Sequence, residues 1–460
     1  MSTKHAKSAT LFIRNREQEQ WHNETLWFVR QKRDNMAMRI PEWEDLRELA
    51  GKIKMHTVSR LDFYLEMFSS EAERNGITVH WAKDAREHNE IVYSILEKHQ
   101  VKKLVKSKSM LTEECLLNPY LIEKGIEVVE SDLGERILQL MGEHPSHIVM
   151  PAIHKKREEV GKLFEEKMDS EKGNSDPTYL THTARRYLRR EFLTADAAMT
   201  GANFGVAQTG EVVVCTNEGN ADMGTSLCKL HIVSMGIEKI VPDLKSLGVF
   251  TRLLARSATG QPSTTYTSHY RKPKEGGEMH IVIVDNGRSE IKGDSEHVQT
   301  LKCIRCGACM NTCPVYRRSG GYSYTYFIPG PVGINLGMLK CPGKYYDNVS
   351  ACSLCYSCNN VCPVKIDLAD QIYRWRQNLD SLRKADRTKK LMSKGMKFLF
   401  TRPALYRTVL KMAPAINYLP RIFVYNKLNA WGYGRELPRF AGESFTSMWK
   451  KGKIRKTNKQ

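Results

Sequence analysis

Cys303-Ile304-Arg305-Cys306-Gly307-Ala308-Cys309-Met310-Asn311-Thr312-Cys313-Pro314 is matched in spacing, 49 residues on, by Cys352-Ser353-Leu354-Cys355-Tyr356-Ser357-Cys358-Asn359-Asn360-Val361-Cys362-Pro363. Both read C-x2-C-x2-C-x3-C-P, the run that holds a 4Fe-4S cluster in two-cluster bacterial ferredoxins. Three thiolates two residues apart wrap one cube on a tight loop. The fourth, before a proline that turns the chain, faces away and serves the other cluster. The spacing therefore predicts Cys303, Cys306, Cys309 and Cys362 on one cluster, and Cys352, Cys355, Cys358 and Cys313 on the second. Structural zinc takes separated C-x2-C pairs, which an uninterrupted triple followed by Cys-Pro fits poorly. A disulfide framework belongs to small secreted domains, and a 460-residue chain is not one. Cys341, also before a proline, lies between the runs, either as a structural thiol or as a substitute for Cys352.

Upstream of the first run the pattern divides in two. Residues 1–75 space Leu46, Leu49, Ile53, Leu61, Tyr64, Leu65 and Phe68 at intervals of three and four, which predicts a helical capping arm without visible chemistry. Residues 76–295 alternate short strands and helices: strands at 76–80, 102–105 and 126–130, a helix over 84–99, further alternation through 131–142 and 147–150, and a basic helix at 181–194 continuing into 195–204. That order predicts an α/β domain with a mainly parallel sheet. Gln208-Thr209-Gly210 reads as a turn, 211–216 as a buried strand and Asn217-Glu218-Gly219-Asn220 as a second turn. Ligands of open parallel sheets sit at carboxyl ends of strands, so Gln208, Glu218 and Asn220 are candidate binding residues; alternatively Glu218 and Asn220 only close the turn. A strand pair is expected at 237–241 and 279–284, with 285–289 ending the domain. Lys106-Ser107-Lys108-Ser109-Met110 either presents hydroxyl and ammonium groups to an anion or is a solvated helix entrance. Cys115, Cys215 and Cys228, and His144, His147, His154 and His231, lack ligand-spaced neighbours and read as structural.

The cysteine module is expected over 296–385, with a helix from Asp367 to Ala385, and a basic segment over 386–460. Of the net charge of +20, +18 falls in residues 371–460, where 22 Lys and Arg meet 4 Asp and Glu. Its apolar positions, such as Phe398, Phe400, Leu405 and Tyr406, are broken every few residues by Lys or Arg. The segment therefore suits an acidic protein partner or anionic lipid, or packs on the protein itself. No helix-turn-helix or zinc-finger pattern accompanies it, so nucleic acid is not an expected partner. With no signal peptide and no run of about 18 apolar residues, the chain is expected in the cytoplasm, where thiols stay reduced. No G-x-G-x-x-G follows a strand, so no flavin or nicotinamide is expected.

Taken together, the two cysteine runs, the Gly201-to-Asn220 stretch and the Phe440-to-Trp449 segment resemble the lactate utilization protein B family along essentially the whole chain. The resemblance implies an LUD domain similar in fold to the ribose-5-phosphate isomerase and CoA-transferase group, followed by the two-cluster module. It implies oxidation of L-lactate to pyruvate together with two companion subunits, one cysteine-rich and one a lone LUD protein. This chain is then the electron carrier, with an unidentified acceptor. The rival expectation makes the chain itself the L-lactate dehydrogenase, with its pocket in the LUD domain. The transferase-type glutamate does not map onto Asn217-Glu218-Gly219-Asn220, so Glu218 is only a candidate catalytic residue.

Overall fold

The computed structural model describes residues 4–379, 387–424 and 439–453. The chain forms two compact units, residues 1–379 and 380–460.

The first unit is built on a six-stranded, all-parallel sheet in the order β1-β10-β7-β4-β2-β3. Its strands are β1 (Thr78–Ala82), β2 (Lys103–Lys106), β3 (Glu127–Glu130), β4 (Ala197–Gly201), β7 (Leu230–Gly236) and β10 (Glu278–Val284). A second, four-stranded sheet runs β8-β5-β6-β9. It contains β5 (Phe204–Val206), β6 (Glu211–Thr216), β8 (Ile240–Val241) and β9 (Tyr266–Tyr270). Strand alternation divides the parallel sheet between two cores. Leu230 and Ile232 of β7 and Val282 and Val284 of β10 pack with Val92, Leu96, Leu117 and Leu121 of helices on one face. Val233, Met235, Ile281 and Ile283 meet Leu61, Leu65 and Phe68 on the other. Each such fully buried side chain contributes roughly 1.5–3 kcal/mol. Helix starts follow side-chain caps: Asp84, Asp132, Asp176 and Asp243 each accept the N–H of the third residue beyond.

Four expectations are corrected. Residues 195–204 do not continue the helix that ends at Thr194; Ala197–Gly201 is β4, in the interior of the sheet. Its five residues are all buried, and tertiary packing overrides the helix propensity of Ala and Met. Residues 237–241 do not pair with 279–284. β10 lies between β1 and β7, Ile237–Lys239 is a 3₁₀ turn, and Ile240–Val241 joins the second sheet. Residues 147–150 form bends rather than an element. The buried strand 211–216 belongs to the mixed second sheet, not the parallel one.

The amino-terminal residues fold as α1 (Lys4–Arg14), α2 (Arg16–Met38), α3 (Trp43–Ser59) and α4 (Leu61–Arg74). The turn at Gly210 presses on α4: Gly210 has φ +67°, and an added Cβ would lie 2.2 Å from the Ala72 nitrogen. One continuous core joins Leu26, Trp43 and Ala50 of the arm, Phe204 and Val213 of the second sheet, Phe250 and Leu253 of the helix Leu244–Ala258, and the cysteine segment.

In the second unit, the helices Arg387–Phe400 and Pro403–Met412 leave Phe398, Phe400, Leu405 and Val409 exposed. The expected helix 367–385 is seen as Leu368–Asn378; residues 380–386 lie outside the described residues, as does 454–460 of the basic end. Among the described residues no helix is long and apolar enough to cross a membrane.

Candidate functional site

The two cysteine runs adopt matching backbone turns. In each, the residues on either side of the second cysteine are left-handed: Arg305 (φ +59°) and Gly307 (φ +76°) around Cys306, Leu354 (φ +54°) and Tyr356 (φ +60°) around Cys355. A one-turn helix follows each, Ala308–Thr312 and Ser357–Val361, ending at the fourth cysteine. The left-handed residues reverse the chain, so backbone N–H groups turn toward sulfur. Arg305 N–H donates to Cys303 Sγ at 3.4 Å and Leu354 N–H to Cys352 Sγ at 3.3 Å. Tyr316 and Ile366 N–H donate to Cys313 and Cys362 Sγ at 3.5 and 3.4 Å. Gly307 also stands against the loop beyond it, where an added Cβ would lie 3.0 Å from His147 Cε1. The two runs touch through the Thr312 and Ser357 hydroxyls, 2.5 Å apart.

Burial pushes the thiols up: Cys306, Cys309 and Cys358 strongly, and Cys313 to about 11. Further upward pressure comes from neighbouring sulfurs, and these neighbours fall into groups. Cys306 feels Cys362 and Cys303; Cys313 feels Cys352 and Cys355; Cys358 feels Cys313, Cys352 and Cys355. Cys309 feels Cys303 and Cys306 before Cys358 and Cys362. A cavity is lined by Cys303, Cys306, Cys309 and Cys362 together with Ile304 and Val332. Buried sulfurs gathered around a common space fit an iron-sulfur cluster, whose irons offset the cost of holding several thiolates out of water. Cys355 is exposed, in contrast to buried Cys306; Cys341 is exposed at the start of the helix Pro342–Val349.

The arm contributes what its sequence did not advertise. Arg47 of α3 donates to the Cys362 carbonyl from Nε (3.0 Å) and Nη2 (2.9 Å), and to the Asn360 carbonyl at 2.6 Å. Arg33 of α2 reaches the Val361 carbonyl at 3.3 Å, and Arg30 bonds Thr312. On the second run, Arg376 donates to the carbonyls of Val349 and Cys352. A 3.6-residue charge pattern cannot reveal this, because surface and clamp arginines look alike until the partner is known.

A second, larger cavity of about 370 Å³ opens where parallel sheets place ligands, at the carboxyl ends of β2, β3, β4, β7 and β10. Ser107, Asp132, Glu218, Lys239, Arg305 and Cys306 are among its lining residues, so it reaches the first cysteine loop. Glu218 and Asn220 line it as expected, although the strand that delivers them is β6 of the other sheet. Gln208 does not: it is exposed in its turn, with its N–H on the Pro242 carbonyl. Glu218 keeps open access to the cavity, yet the surrounding protein desolvates it; that effect, and then the charge of Asp132, raise its carboxyl to about 7. Its Oε2 accepts the Leu133 N–H at 3.0 Å. Of the 106–110 stretch, Lys106 turns inward, fully buried on Glu130 at 2.7 Å, while Ser107, Lys108 and Ser109 line the cavity. Cys215, expected as purely structural, lines it too. Lys239 and Arg305 carry no motif of their own; their one signal is position, just after β7 and inside the first cysteine run.

A buried charge network forms part of this wall, since Glu114, Glu238 and Arg288 line the cavity too. Arg288 pairs with Glu238 at 2.6 Å and Glu114 at 2.9 Å, Arg305 Nη2 lies 3.9 Å from Glu238, and Lys54 of α3 donates to the Glu238 carbonyl. Burial opposes ionisation of Glu238, but Arg288, then Lys239 and Arg305, hold its carboxyl down at about 2.

Comparison with known proteins places three sequence families along the chain: an LUD domain at residues 65–292, a 4Fe-4S dicluster domain at 299–366, and the C-terminal element of lactate utilisation protein B at 380–454. Lactate utilization protein B of Oceanobacillus iheyensis is 41% identical over 435 residues, 91% of this chain and 90% of that one. The protein of the same name from Geobacillus thermodenitrificans is 44% identical over 396 residues, 84% and 82% of the two chains. An uncharacterized electron transport protein of Escherichia coli, YkgF, is 40% identical over 432 residues, 91% and 90%. Among solved structures, a DUF162 family protein from Deinococcus radiodurans covers 49% of this chain and 98% of its own, at 11% identity and a TM-score of 0.29.

Proposed function

This chain belongs to the lactate utilization protein B family, and on that premise we propose that it is the iron-sulfur electron-transfer subunit of a system oxidising L-lactate to pyruvate, with two 4Fe-4S clusters. The observation that carries the reading is the pair of matching left-handed turns, with Cys362 of the second run among the sulfur neighbours of Cys306 and Cys313 of the first among those of Cys358. Cys303, Cys306, Cys309 and Cys362 hold one cluster, and Cys352, Cys355, Cys358 and Cys313 the other. Bound there, two clusters supply two one-electron stores, the number of electrons that one lactate releases on becoming pyruvate.

The chain's own residues set the conditions for that chemistry. N–H groups of Arg305, Leu354, Tyr316 and Ile366 donate to sulfur, which favours the electron-rich form and tunes the potential. Ile148, Ile304 and Val332 keep water from the first set. Arg47 and Arg33 fix the carbonyls beside Cys362, and their positive charge favours the reduced state. Companion subunits bring the substrate electrons or take them away, and the exposed Lys394, Lys397, Phe398, Phe400 and Leu405 offer a surface for a partner or an anionic membrane.

A second reading, in which the chain itself oxidises L-lactate, draws on the cavity that Glu218 and Asn220 line beside Cys306. One experiment separates the two. The chain is purified alone without air, iron and sulfide are counted, and the visible spectrum is followed as L-lactate is added. About eight irons per chain with no bleaching is the outcome expected of a carrier that needs its partners. Bleaching by lactate alone moves the oxidation into this chain; about four irons or fewer removes the two-cluster reading.

A further inference from the structure

At the end of the parallel sheet opposite the large cavity, where the strands begin, three side chains with metal-binding atoms converge. Alternation along β10 puts Glu278 and His280 on one face. The helix Ala85–Lys98 covers that face, its Val92 and Leu96 sharing a core with Val282 and Val284 of the same strand. Its C-cap residue, His99, comes down beside them, with ring centroids of His99 and His280 6.4 Å apart. Two backbone contacts fix these positions. Gln100 turns left-handed (φ +53°) and Val101 N–H returns to the Leu96 carbonyl at 3.0 Å, while Glu278 N–H donates to the Lys229 carbonyl at 2.9 Å.

The Nε2 atoms of His99 and His280 each lie 3.4 Å from Glu278 Oε2, and the three atoms stand within 4.8 Å of one another. Both nitrogens are closed off from solvent and neither has a hydrogen-bond partner; His280 as a whole is 6% exposed. Buried polar atoms are almost always satisfied, so two bare nitrogens converging on one carboxylate mark a missing third party. A proton does not supply it, since burial and then His80 hold the His280 imidazole below its ordinary value although Glu278 opposes them. His80 Nε2 of β1 lies 3.0 Å from the far nitrogen of that ring, Nδ1. When Nδ1–H donates to His80, the His280 Nε2 is left as a lone pair, and a ring held through its far nitrogen is the common support of a metal-bound histidine.

Two imidazoles and a carboxylate suit zinc and ions of like preference, whereas magnesium and calcium favour all-oxygen sites. A tetrahedral ion with bonds of about 2.0–2.1 Å sets its ligand atoms about 3.3 Å apart, close to the 3.4 Å separations here. The negative end of the helix dipole at His99 adds to the attraction for a cation. We propose that His99, Glu278 and His280 bind one divalent transition-metal ion of the zinc class, with His80 holding the His280 ring and water completing the coordination. The ion ties the end of the helix Ala85–Lys98 to β10 and, through His80, to the edge strand β1. It is separate from the cluster cysteines and does not depend on the reading given for them.

The test uses the full, anaerobically purified chain with its clusters, dialysed against zinc chloride or magnesium chloride, beside His99→Asn, Glu278→Gln and His280→Gln. Bound metal and iron are counted on every sample, and zinc-edge X-ray absorption identifies the ligand atoms. A single zinc per chain is expected, with a nitrogen and oxygen shell at about 2.0–2.1 Å and no sulfur at about 2.3 Å. His99→Asn and Glu278→Gln should each weaken zinc binding tenfold or more at unchanged iron content. Failure to retain zinc overturns the proposal, as does a sulfur shell, which puts the ion on cysteines. Zinc affinity unaltered in the variants, or magnesium bound as tightly, overturns it too. His280 is buried; should His280→Gln fail to fold, the more accessible His99 and Glu278 variants decide by the same criteria.

Discussion

Leu354 and Tyr356 hold backbone angles that side chains with a Cβ seldom adopt, and they do so at the positions where the first run has Arg305 and Gly307. Such strain persists where the surroundings over-determine it, here through N–H groups turned on sulfur. Because Cys306 and Cys355 occupy equivalent places, Cys306→Ser and Cys355→Ser should each lower iron by about half, from about eight per chain. Iron and sulfide analysis checks this, and full iron in both variants sinks the ligand assignment. A separate residue-scale expectation concerns Glu135, buried beside Lys108 at 3.9 Å. Burial outweighs the lysine and pushes its carboxyl up to about 8. The native state therefore keeps a proton that the unfolded chain has already lost, so stability falls as pH rises from the ordinary carboxylate range toward that value. Glu135→Gln should flatten this slope in thermal melts from about pH 5 to about pH 9; an unchanged slope rejects it. The eight cysteines were legible because cluster ligation fixes both residue type and spacing. Lys239, Arg305 and Ser107 were not, because they meet around one cavity only in the folded arrangement.

At the scale of elements, α2 and α3 grip the end of the second cysteine run. Arg47 donates four hydrogen bonds to three carbonyls, those of Asn359, Asn360 and Cys362. Arg47→Ala leaves the Asn360 carbonyl without a donor among the described residues and the Cys362 carbonyl with the Lys365 N–H alone, at 3.3 Å, and should cost about 3 kcal/mol. Iron should also leave faster under a chelator, and equal release rates for variant and parent argue against the clamp. Strands β1, β2, β3, β6 and β10 were visible as short apolar or alternating runs. β4 was not, since Ala197-Ala198-Met199 favours a helix by propensity and becomes a strand through its pairing with β2 and β7 and its full burial. β7 and β9 escaped for different reasons. His231 and Ser234 interrupt the first, whereas Tyr266–Tyr270 lies largely exposed and is defined by its pairing with β6.

Across residues 1–379, the arm, the second sheet and the cysteine segment share one core. Unfolding around the thiols therefore uncovers apolar faces of helices and strands far away in sequence. Removing iron should lower the melting of this whole unit in scanning calorimetry, not of a detached cysteine module. A high-temperature transition that survives chelation unchanged would show the α/β domain to be independent. Parallel α/β topology was readable from the order of elements, but this merging was not, because residues 1–75 carry no mark of the surface they cover. One contrast within the unit reaches beyond its fold: Cys306 is enclosed while Cys355 meets solvent. Dioxygen diffusing in from outside encounters the second sulfur loop first, so air ages the molecule from one end. On the two-cluster reading, a preparation left on the bench should pass through a half-intact species whose inner loop still carries its iron.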